Sequence, residues 1–162
     1  MAIVASDVME RKVMSVEPTL PAGELEALLD REHISGAPVV EDARLVGVVS
    51  RADLARAQLD AAERADSILD YYRDAGGGSP GPSERARLTG ARLEGLRVRD
   101  LMSTDLVTVK ADQPIAEVAR TLAARVIHRV LVADAGRLLG LISSLDVVQL
   151  VGDGRLVERG GR

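Results

Sequence analysis

The sequence predicts an α/β (α+β) fold made of two copies of one β-α-β-β-α unit. Residues 7–54 align with residues 100–147 at a constant offset of 93, without a gap, and 13 of the 48 aligned positions are identical. Each copy also combines short alternating apolar runs with a stretch of helical spacing. The chain has 162 residues and is 46% hydrophobic, which suits one compact domain or two small ones. Because a unit of about 50 residues buries little surface alone, we expect the copies to pack about a pseudo-two-fold axis.

The elements follow the same order in both copies. A proline with acidic residues near it precedes a run of apolar residues at helical spacing, which predicts the first helix of each copy. The predicted strands are Val13–Glu17, Ala37–Val40 and Leu45–Val49 in the first copy, and Leu106–Lys110, Val130–Ala133 and Leu138–Ile142 in the second. A short helical lead-in is predicted around Val8–Met9 and around Val98–Met102, and a second helix is predicted to open at Ser50 and at Ser143.

Composition narrows the class of partner and the compartment. The formal net charge is −4 and the only aromatic residues are Tyr71 and Tyr72, so binding to nucleic acid is not expected. The chain has no cysteine, and its two histidines, His33 and His128, lack metal-ligand spacing, so no metal site is expected. No apolar run reaches about 18 residues and no signal-peptide pattern is present, so we expect a cytoplasmic protein that does not bind membranes.

Both copies carry a Ser-x-x-Asp motif where the second helix is predicted to begin. Ser50 precedes Asp53, and Ser143 precedes Asp146. A serine at the N-cap can meet free amides or a phosphate, and an aspartate one turn later can accept hydrogen bonds from two ribose hydroxyls. The same pattern is also a capping box with Asp in the usual Glu or Gln place. A ligand role and a purely structural role therefore both fit the motif.

The sequence resembles a tandem pair of CBS domains (cystathionine β-synthase domains), also called a Bateman module. The resemblance lies in Ile34–Val40 and Leu45–Leu54 of the first copy and in Ile127–Asp134 and Leu138–Val147 of the second. A single Gly-x-x-Ser-x-x-Asp is a weak signal, but two copies at one offset, each after the right strand, are specific. The resemblance predicts a first CBS motif at residues 1–54 and a second at 98–151. A helical and linker insert at 55–97 and a tail at 152–162 lie outside it.

The resemblance implies a regulatory module rather than an enzyme. Its ligands would be adenosine-derived nucleotides (AMP, ADP or ATP), with S-adenosylmethionine ranked behind them, and no other cofactor would be required. It also implies a homodimer that regulates an unidentified partner protein. No catalytic constellation is present, since the serines lack a nucleophile elbow and a repeated base. The alternative is a structural or interaction module with vestigial nucleotide sites.

The resemblance further implies two ligand-binding clefts that mix the copies. The first would comprise Lys12, Met14, Ile34, Ser35, Ala37, Ser143 and Asp146. The second would comprise Ser50, Arg51, Asp53, Asp105, Val107, Ile127, His128 and Arg129. Arginine offers forked donors to phosphate oxygens. Because Arg51 aligns with Ser144, and Arg129 with Gly36, the second cleft is predicted to bind phosphorylated adenosine more tightly.

The sequence of the insert indicates a long helix followed by a linker. Arg51–Arg73 has apolar residues at helical spacing, and Gly76–Pro82 is rich in glycine and proline. Gly76–Gly78 lacks the Lys-Ser/Thr of a phosphate loop, which favours a linker. The apolar stripe and the tyrosines could dock a partner or cover the surface of the module itself.

Overall fold

The computed structural model describes residues 3–60 and 94–156. In chain order the elements are a 3-10 turn (Ala5–Asp7), α1 (Ala22–Arg31), β1 (Gly36–Glu41), β2 (Arg44–Ser50), α2 (described over residues 51–60), α3 (Val98–Leu101), β3 (Thr108–Val109), α4 (Ile115–Arg125), β4 (Arg129–Asp134), β5 (Arg137–Ser143) and α5 (Ser144–Gly152). The predicted α+β fold with two repeats is confirmed. The linker at Gly76–Pro82 and the predicted helix beyond residue 60 lie outside the described residues.

The first strand of each repeat is shorter than predicted. In the second repeat only Thr108–Val109 form a strand, and in the first only Val16 forms a bridge, to Val39. Both short segments run parallel to the next strand of their repeat. Val16 is followed by Glu17 and Pro18, and a proline cannot donate to a ladder, so the pairing stops there.

The described chain forms two compact units, and neither unit is one half of the sequence. Unit 1 contains residues 3–13, 42–45 and 106–156, and unit 2 contains residues 14–41, 46–60 and 94–105. The N-terminal lead-in (residues 3–13) thus packs with the strands and helices of the second repeat. The second lead-in (residues 94–105) packs with those of the first repeat. Each unit therefore combines both copies.

Unit 1 is built on a three-stranded sheet in the order β3-β4-β5. β3 pairs with β4 in parallel, β4 pairs with β5 antiparallel, and the N-terminal lead-in adds a bridge between Glu10 and Leu141. Helices α4 and α5 pack against this sheet. The aliphatic core of the unit consists of Ala5, Met9, Val109, Ile115, Val118, Leu122, Val130, Val132, Ile142 and Leu150.

Unit 2 repeats this plan around the two-stranded sheet β1-β2. The second lead-in crosses β2, where the amides and carbonyls of Val48 and Ser103 exchange hydrogen bonds of 2.9 and 2.8 Å. The core of the unit consists of Val16, Ala22, Leu25, Leu29, Ala37, Val39, Val49, Leu54 and Val98. Most of these positions align with core positions of unit 1, so the duplication extends to packing.

Two aligned glycines permit the lead-ins to lie close to the sheets. A Cβ at Gly140 would meet the backbone oxygen of Glu10 and the sulfur of Met9, both at 2.8 Å. A Cβ at Gly47 would meet the sulfur of Met102 at 2.7 Å. These close approaches explain why both β2 and β5 carry glycine at this position.

Candidate functional site

The Ser-x-x-Asp motif caps the second helix of both repeats. In the first repeat, Oδ2 of Asp53 accepts from the Ser50 amide (2.8 Å) and from the Ser50 hydroxyl (2.7 Å). In the second repeat, Oδ2 of Asp146 accepts from the Ser143 amide and hydroxyl, both at 2.7 Å. The serine hydroxyl in turn accepts from the aspartate amide, at 3.4 Å in the first repeat and 3.2 Å in the second. The capping geometry is therefore present in both copies.

The cap uses only one oxygen of each carboxylate. Oδ1 of Asp53 lies 3.3 Å from Nη1 of Arg56, one turn further along α2. At Asp146 the aligned neighbour is Gln149, and Oδ1 has no hydrogen-bond partner within residues 3–60 and 94–156. This oxygen can accept a hydrogen bond from a ligand hydroxyl without disturbing the cap.

Each cap lies near the lead-in of the other repeat. In unit 1, Glu10 exchanges backbone hydrogen bonds with Leu141, two residues before Ser143, and its carboxylate accepts from the Lys12 amide at 2.7 Å. In unit 2, the corresponding backbone contact joins Ser103 to β2 two residues before Ser50. The structure therefore groups predicted residues from both copies: Lys12 with Ser143 and Asp146, and Asp105 with Ser50, Arg51 and Asp53.

The start of the central strand also lies against the cap of its own repeat. The Ser35 carbonyl accepts from the Arg51 amide, and the His128 carbonyl accepts from the Ser144 amide, both at 2.9 Å. Arg129 begins β4 opposite Ser143. The predicted joining of Ile34 and Ser35 to the second cap, and of Ile127–Arg129 to the first, links residues of different units and stays a prediction.

Arg51 has a different environment from the one the sequence interpretation assumed. Its guanidinium donates to the carbonyls of Leu29 (2.8 Å) and Ile34 (3.0 Å) and pairs with the carboxylate of Asp30. In this structure its donors are engaged by the end of α1 and by the Ile34 carbonyl. Its predicted phosphate contact is untested.

The remaining predicted residues differ in exposure. Ala37 is 4% exposed and belongs to the core of unit 2, so only its backbone could meet a ligand. Met14 is 38% exposed. Ile34, Val107 and Ile127 are partly buried at the edges of the two cores. The aliphatic character of these positions suits the apolar walls of a nucleoside pocket.

A cleft of about 480 Å³ in unit 1 lies where β3 and β4 end, and it contains none of the predicted site residues. Leu45, Leu106 and Ala133 give it apolar sides, and Lys110 and Asp134 give it charges of both signs. The sequence did not identify it, because these residues come from three separate segments with no shared motif.

Ion pairs among the described residues include Arg31–Glu32, Arg51–Asp30 and Arg56–Asp53. Within residues 3–60 and 94–156, no three His, Asp or Glu side chains are clustered as a metal site would require. Over the same residues, no helix has the length and apolar character needed to cross a membrane.

The family model of the CBS domain matches residues 5–60 and 98–153 of this chain, which is more than half of it. The curated protein MJ1232 of Methanocaldococcus jannaschii, itself uncharacterised, is 25% identical over 150 residues. That alignment covers 92% of this chain and 40% of the relative, so the chain spans about two fifths of the relative's length.

Two solved structures have the same fold. CBSX2, a CBS-pair protein of Arabidopsis thaliana, was solved in complex with AMP. That complex is 23% identical with a TM-score of 0.68, covering 94% of this chain and 98% of its own. The CBS domain pair of MJ0100, in complex with 5-methylthioadenosine and S-adenosyl-L-methionine, is 18% identical with a TM-score of 0.65. It covers 95% of this chain and 99% of its own.

Proposed function

Because this chain belongs to the CBS domain family, we propose that it is a regulatory module that senses AMP, ADP or ATP and transmits their binding to a partner protein. The adenosine ligands of the two solved relatives support this ligand class. We place the module in the cytoplasm and assign it no catalytic step of its own.

The observation that carries the proposal is the position of the two capping carboxylates. Each lies at a helix start, keeps an oxygen outside the cap, and has a lead-in of the other repeat beside it. A ribose offers two adjacent hydroxyl donors, and a carboxylate oxygen is a suitable acceptor for them. The helix N-terminus and the nearby basic residues then favour the phosphate.

The proposal is tested by titrating purified protein with AMP, ADP and ATP, using calorimetry and thermal shift. Asp53→Ala and Asp146→Ala should each remove binding at one cleft. Because the cleft assigned to Asp53 contains Arg129 and His128, Asp53→Ala should cause the larger loss of affinity for phosphorylated ligands. Equal losses from the two substitutions would contradict this ranking.

A matched variant separates the ligand role from the cap. Glu is the usual residue at this position of a capping box, so Asp53→Glu and Asp146→Glu should keep the helix start while moving the carboxylate by one methylene. We expect these variants to retain their unfolding midpoint and lose nucleotide affinity. Unchanged affinity in both Glu variants would remove the ribose contact from the proposal.

The second candidate function is that of a structural module with vestigial sites. It is favoured by the capping geometry, which by itself explains why both motifs hold Ser and Asp. Thermal shift distinguishes the two candidates, because ligand at about 100 times its dissociation constant stabilises the folded state by about 2.7 kcal/mol. No shift with any adenosine compound would favour the vestigial module.

We further propose that the chain forms a homodimer through α5. This helix exposes Leu145 (71%), Val148 (62%) and Val151 (58%) at helical spacing. The aligned residues of the first repeat are Ala52, Ala55 and Gln58. The only charged residue within α5 is Asp146, at the cap, so the face formed by Leu145, Val148 and Val151 has no charged member and can meet its own copy.

The dimer is tested by light scattering after size exclusion. Leu145→Glu should yield a monomer, because it places a charge at the most exposed position of the apolar face. Ala52→Glu is the matched control: it introduces the same charge at the aligned position, and both sites lie in a first helical turn that accepts an acidic residue. Identical masses for the two variants would exclude α5 as the interface.

Transmission to a partner is tested by affinity capture from a lysate with and without AMP. A signal of this kind requires that nucleotide affinity differ between two conformations of the module. We therefore expect a captured protein whose yield changes with AMP, and whose dependence is lost in Asp53→Glu. A capture that ignores AMP would support the structural module instead.

A further inference from the structure

Arg51 joins three parts of unit 2. Its guanidinium donates to the Leu29 carbonyl at 2.8 Å and to the Ile34 carbonyl at 3.0 Å, and it pairs with the Asp30 carboxylate. Its backbone amide donates to the Ser35 carbonyl at 2.9 Å. One residue at the start of α2 therefore holds the end of α1 and the backbone that enters β1.

The second repeat makes the same backbone hydrogen bonds but has no arginine at the position of Arg51. The Ile34 amide donates to Leu29 at 3.0 Å, and the aligned Ile127 amide donates to Leu122 at 3.1 Å. The amides of Arg51 and Ser144 make aligned bonds of the same length, 2.9 Å. The second repeat has Ser144 in place of the guanidinium and Ala123 in place of the Asp30 carboxylate.

The left-handed residue that follows the first helix of each repeat also differs. His33 and Val126 both adopt a left-handed conformation with φ of 53°. This conformation is unfavourable for any side chain and most so for a β-branched one. The segment that enters β4 thus follows a strained valine, and it has Ser144 where the first repeat has Arg51.

We propose that Arg51 is a positioning residue: it holds the segment Ile34–Ser35 in place, whereas the aligned segment Ile127–His128 of the second repeat opens locally. This inference rests on the proposed function in one respect: the two segments are taken to be walls of the nucleotide clefts. On this proposal the wall of the first cleft is ordered before a ligand binds. The wall of the second cleft becomes ordered when its ligand binds. Arg51 then acts through the backbone rather than on the phosphate.

Amide hydrogen exchange of the ligand-free protein tests the positioning role. We expect the amides of Ile34 and Arg51 to exchange about tenfold more slowly than those of Ile127 and Ser144, because the charged side chain adds hydrogen bonds that must break before opening. Arg51→Ala should remove most of this difference. Arg51→Lys should resemble Arg51→Ala, because an ammonium cannot reproduce the planar fork. Equal exchange of the aligned amides in the unmodified protein would overturn the proposal.

A transplant into the second repeat distinguishes positioning from a general loss of stability. Ser144→Arg combined with Ala123→Asp supplies both missing groups at the aligned positions. We expect the Ile127 amide of this double variant to exchange about tenfold more slowly, with no change at Ile34. Ser144→Lys with Ala123→Asp is the matched control and should slow Ile127 little. An unchanged Ile127 amide in the arginine variant would contradict the inference, even if Arg51→Ala fails to fold.

The role of the ligand is tested by repeating the exchange with AMP. In the unmodified protein AMP should slow Ile127 more than Ile34, and in the double arginine variant this extra slowing should shrink. If AMP binds and slows the exchange of both amides equally, the proposal that the wall of the second cleft becomes ordered on binding is wrong. If AMP does not bind at all, the proposed function fails while the ligand-free comparison still decides the role of Arg51.

Discussion

The two repeats share the residues that build a helix cap and differ in the residues that surround it. The caps are formed by Ser50 with Asp53 and by Ser143 with Asp146. Corresponding hydrogen-bond lengths in the two caps agree to within 0.2 Å. The Arg51 guanidinium is directed at the end of α1, whereas the aligned Ser144 shares with Arg51 the backbone bond to the start of the central strand. The residues that form the cap are thus the same in both copies, and the residue that follows the capping serine differs.

The exposed faces of the second helices show the same contrast. α5 presents three large aliphatic side chains to solvent, whereas the aligned positions of α2 hold two alanines and a glutamine. A buried position cannot change without loss of packing, but an exposed one can change at little cost to stability. Duplication therefore gives one fold with two different surfaces.

The largest expected effect concerns the two cores. Leu29 is 0% exposed and the aligned Leu122 is 5% exposed, so Leu29→Ala and Leu122→Ala should each lower the free energy of unfolding by about 2 to 5 kcal/mol. Urea denaturation followed by circular dichroism measures both. Leu59→Ala, at a position 65% exposed, is the control and should change stability by less than about 0.5 kcal/mol. A small effect at only one leucine would show that the units are packed unequally.

The next effect concerns the contacts of the lead-ins. Gly140→Ala should lower stability by about 1 to 3 kcal/mol, because the new Cβ would lie 2.8 Å from a backbone oxygen. Gly47→Ala should lower it less, since its nearest neighbour is the flexible end of Met102. Gly23→Ala meets nothing within 4 Å and should raise stability by up to about 1 kcal/mol. Thermal denaturation of the three variants checks this order, and a neutral Gly140→Ala would refute the close packing of residues 9–10 on β5.

A smaller effect is expected at the caps. Ser50→Ala and Ser143→Ala should each lower stability by about 1 kcal/mol, because each hydroxyl accepts from the amide of the capping aspartate. Ser144→Ala is the control, because only the backbone of this residue is used at the cap. Chemical denaturation distinguishes the variants. If Ser144→Ala were as damaging as Ser143→Ala, the cap would not be the source of the effect.

The smallest expected effect is a gain in the free energy of unfolding. Val126→Gly should raise the free energy of unfolding by less than about 1 kcal/mol, and with it the melting temperature. The strain relieved in the left-handed conformation exceeds the entropic cost of ordering a glycine. The Val126 side chain is 86% exposed, so little packing is lost. His33→Gly should gain less, because histidine tolerates this conformation better than a β-branched residue. A destabilised Val126→Gly would mean that the exposed valine makes a contact in solution, for instance with a second copy.

Much of the fold could be predicted because it depends on local patterns. The helices begin one residue after prolines and serines that the sequence marks, as at Pro21 and Ser143. The second and third strands of each repeat extend to within one residue of their predicted bounds, as in Gly36–Glu41 and Arg137–Ser143, whereas the first strands are shorter than predicted. Spacing and capping act over a few residues, so these features can be recognised before any tertiary contact is known.

The candidate site was predictable only in part. Ser50 and Asp53, three positions apart, have to meet at any helix start, and the structure has them in contact. The partner of Arg51 could not be predicted, since Leu29 and Asp30 lie more than 20 residues away and the arginine could equally have faced a cleft. Long side chains reach several surfaces, and the packing of distant segments selects one of them.

The amino-acid order alone settled the duplication, the aliphatic core and the caps, because each rests on neighbours along the chain or on repeated spacing. Tertiary structure alone decided that each lead-in packs with the other repeat, through the close approach of Met9 and Glu10 to Gly140. It also decided that the arginine after the first cap supports α1. Contacts between segments far apart in sequence depend on how the whole chain is packed, and no local pattern encodes them.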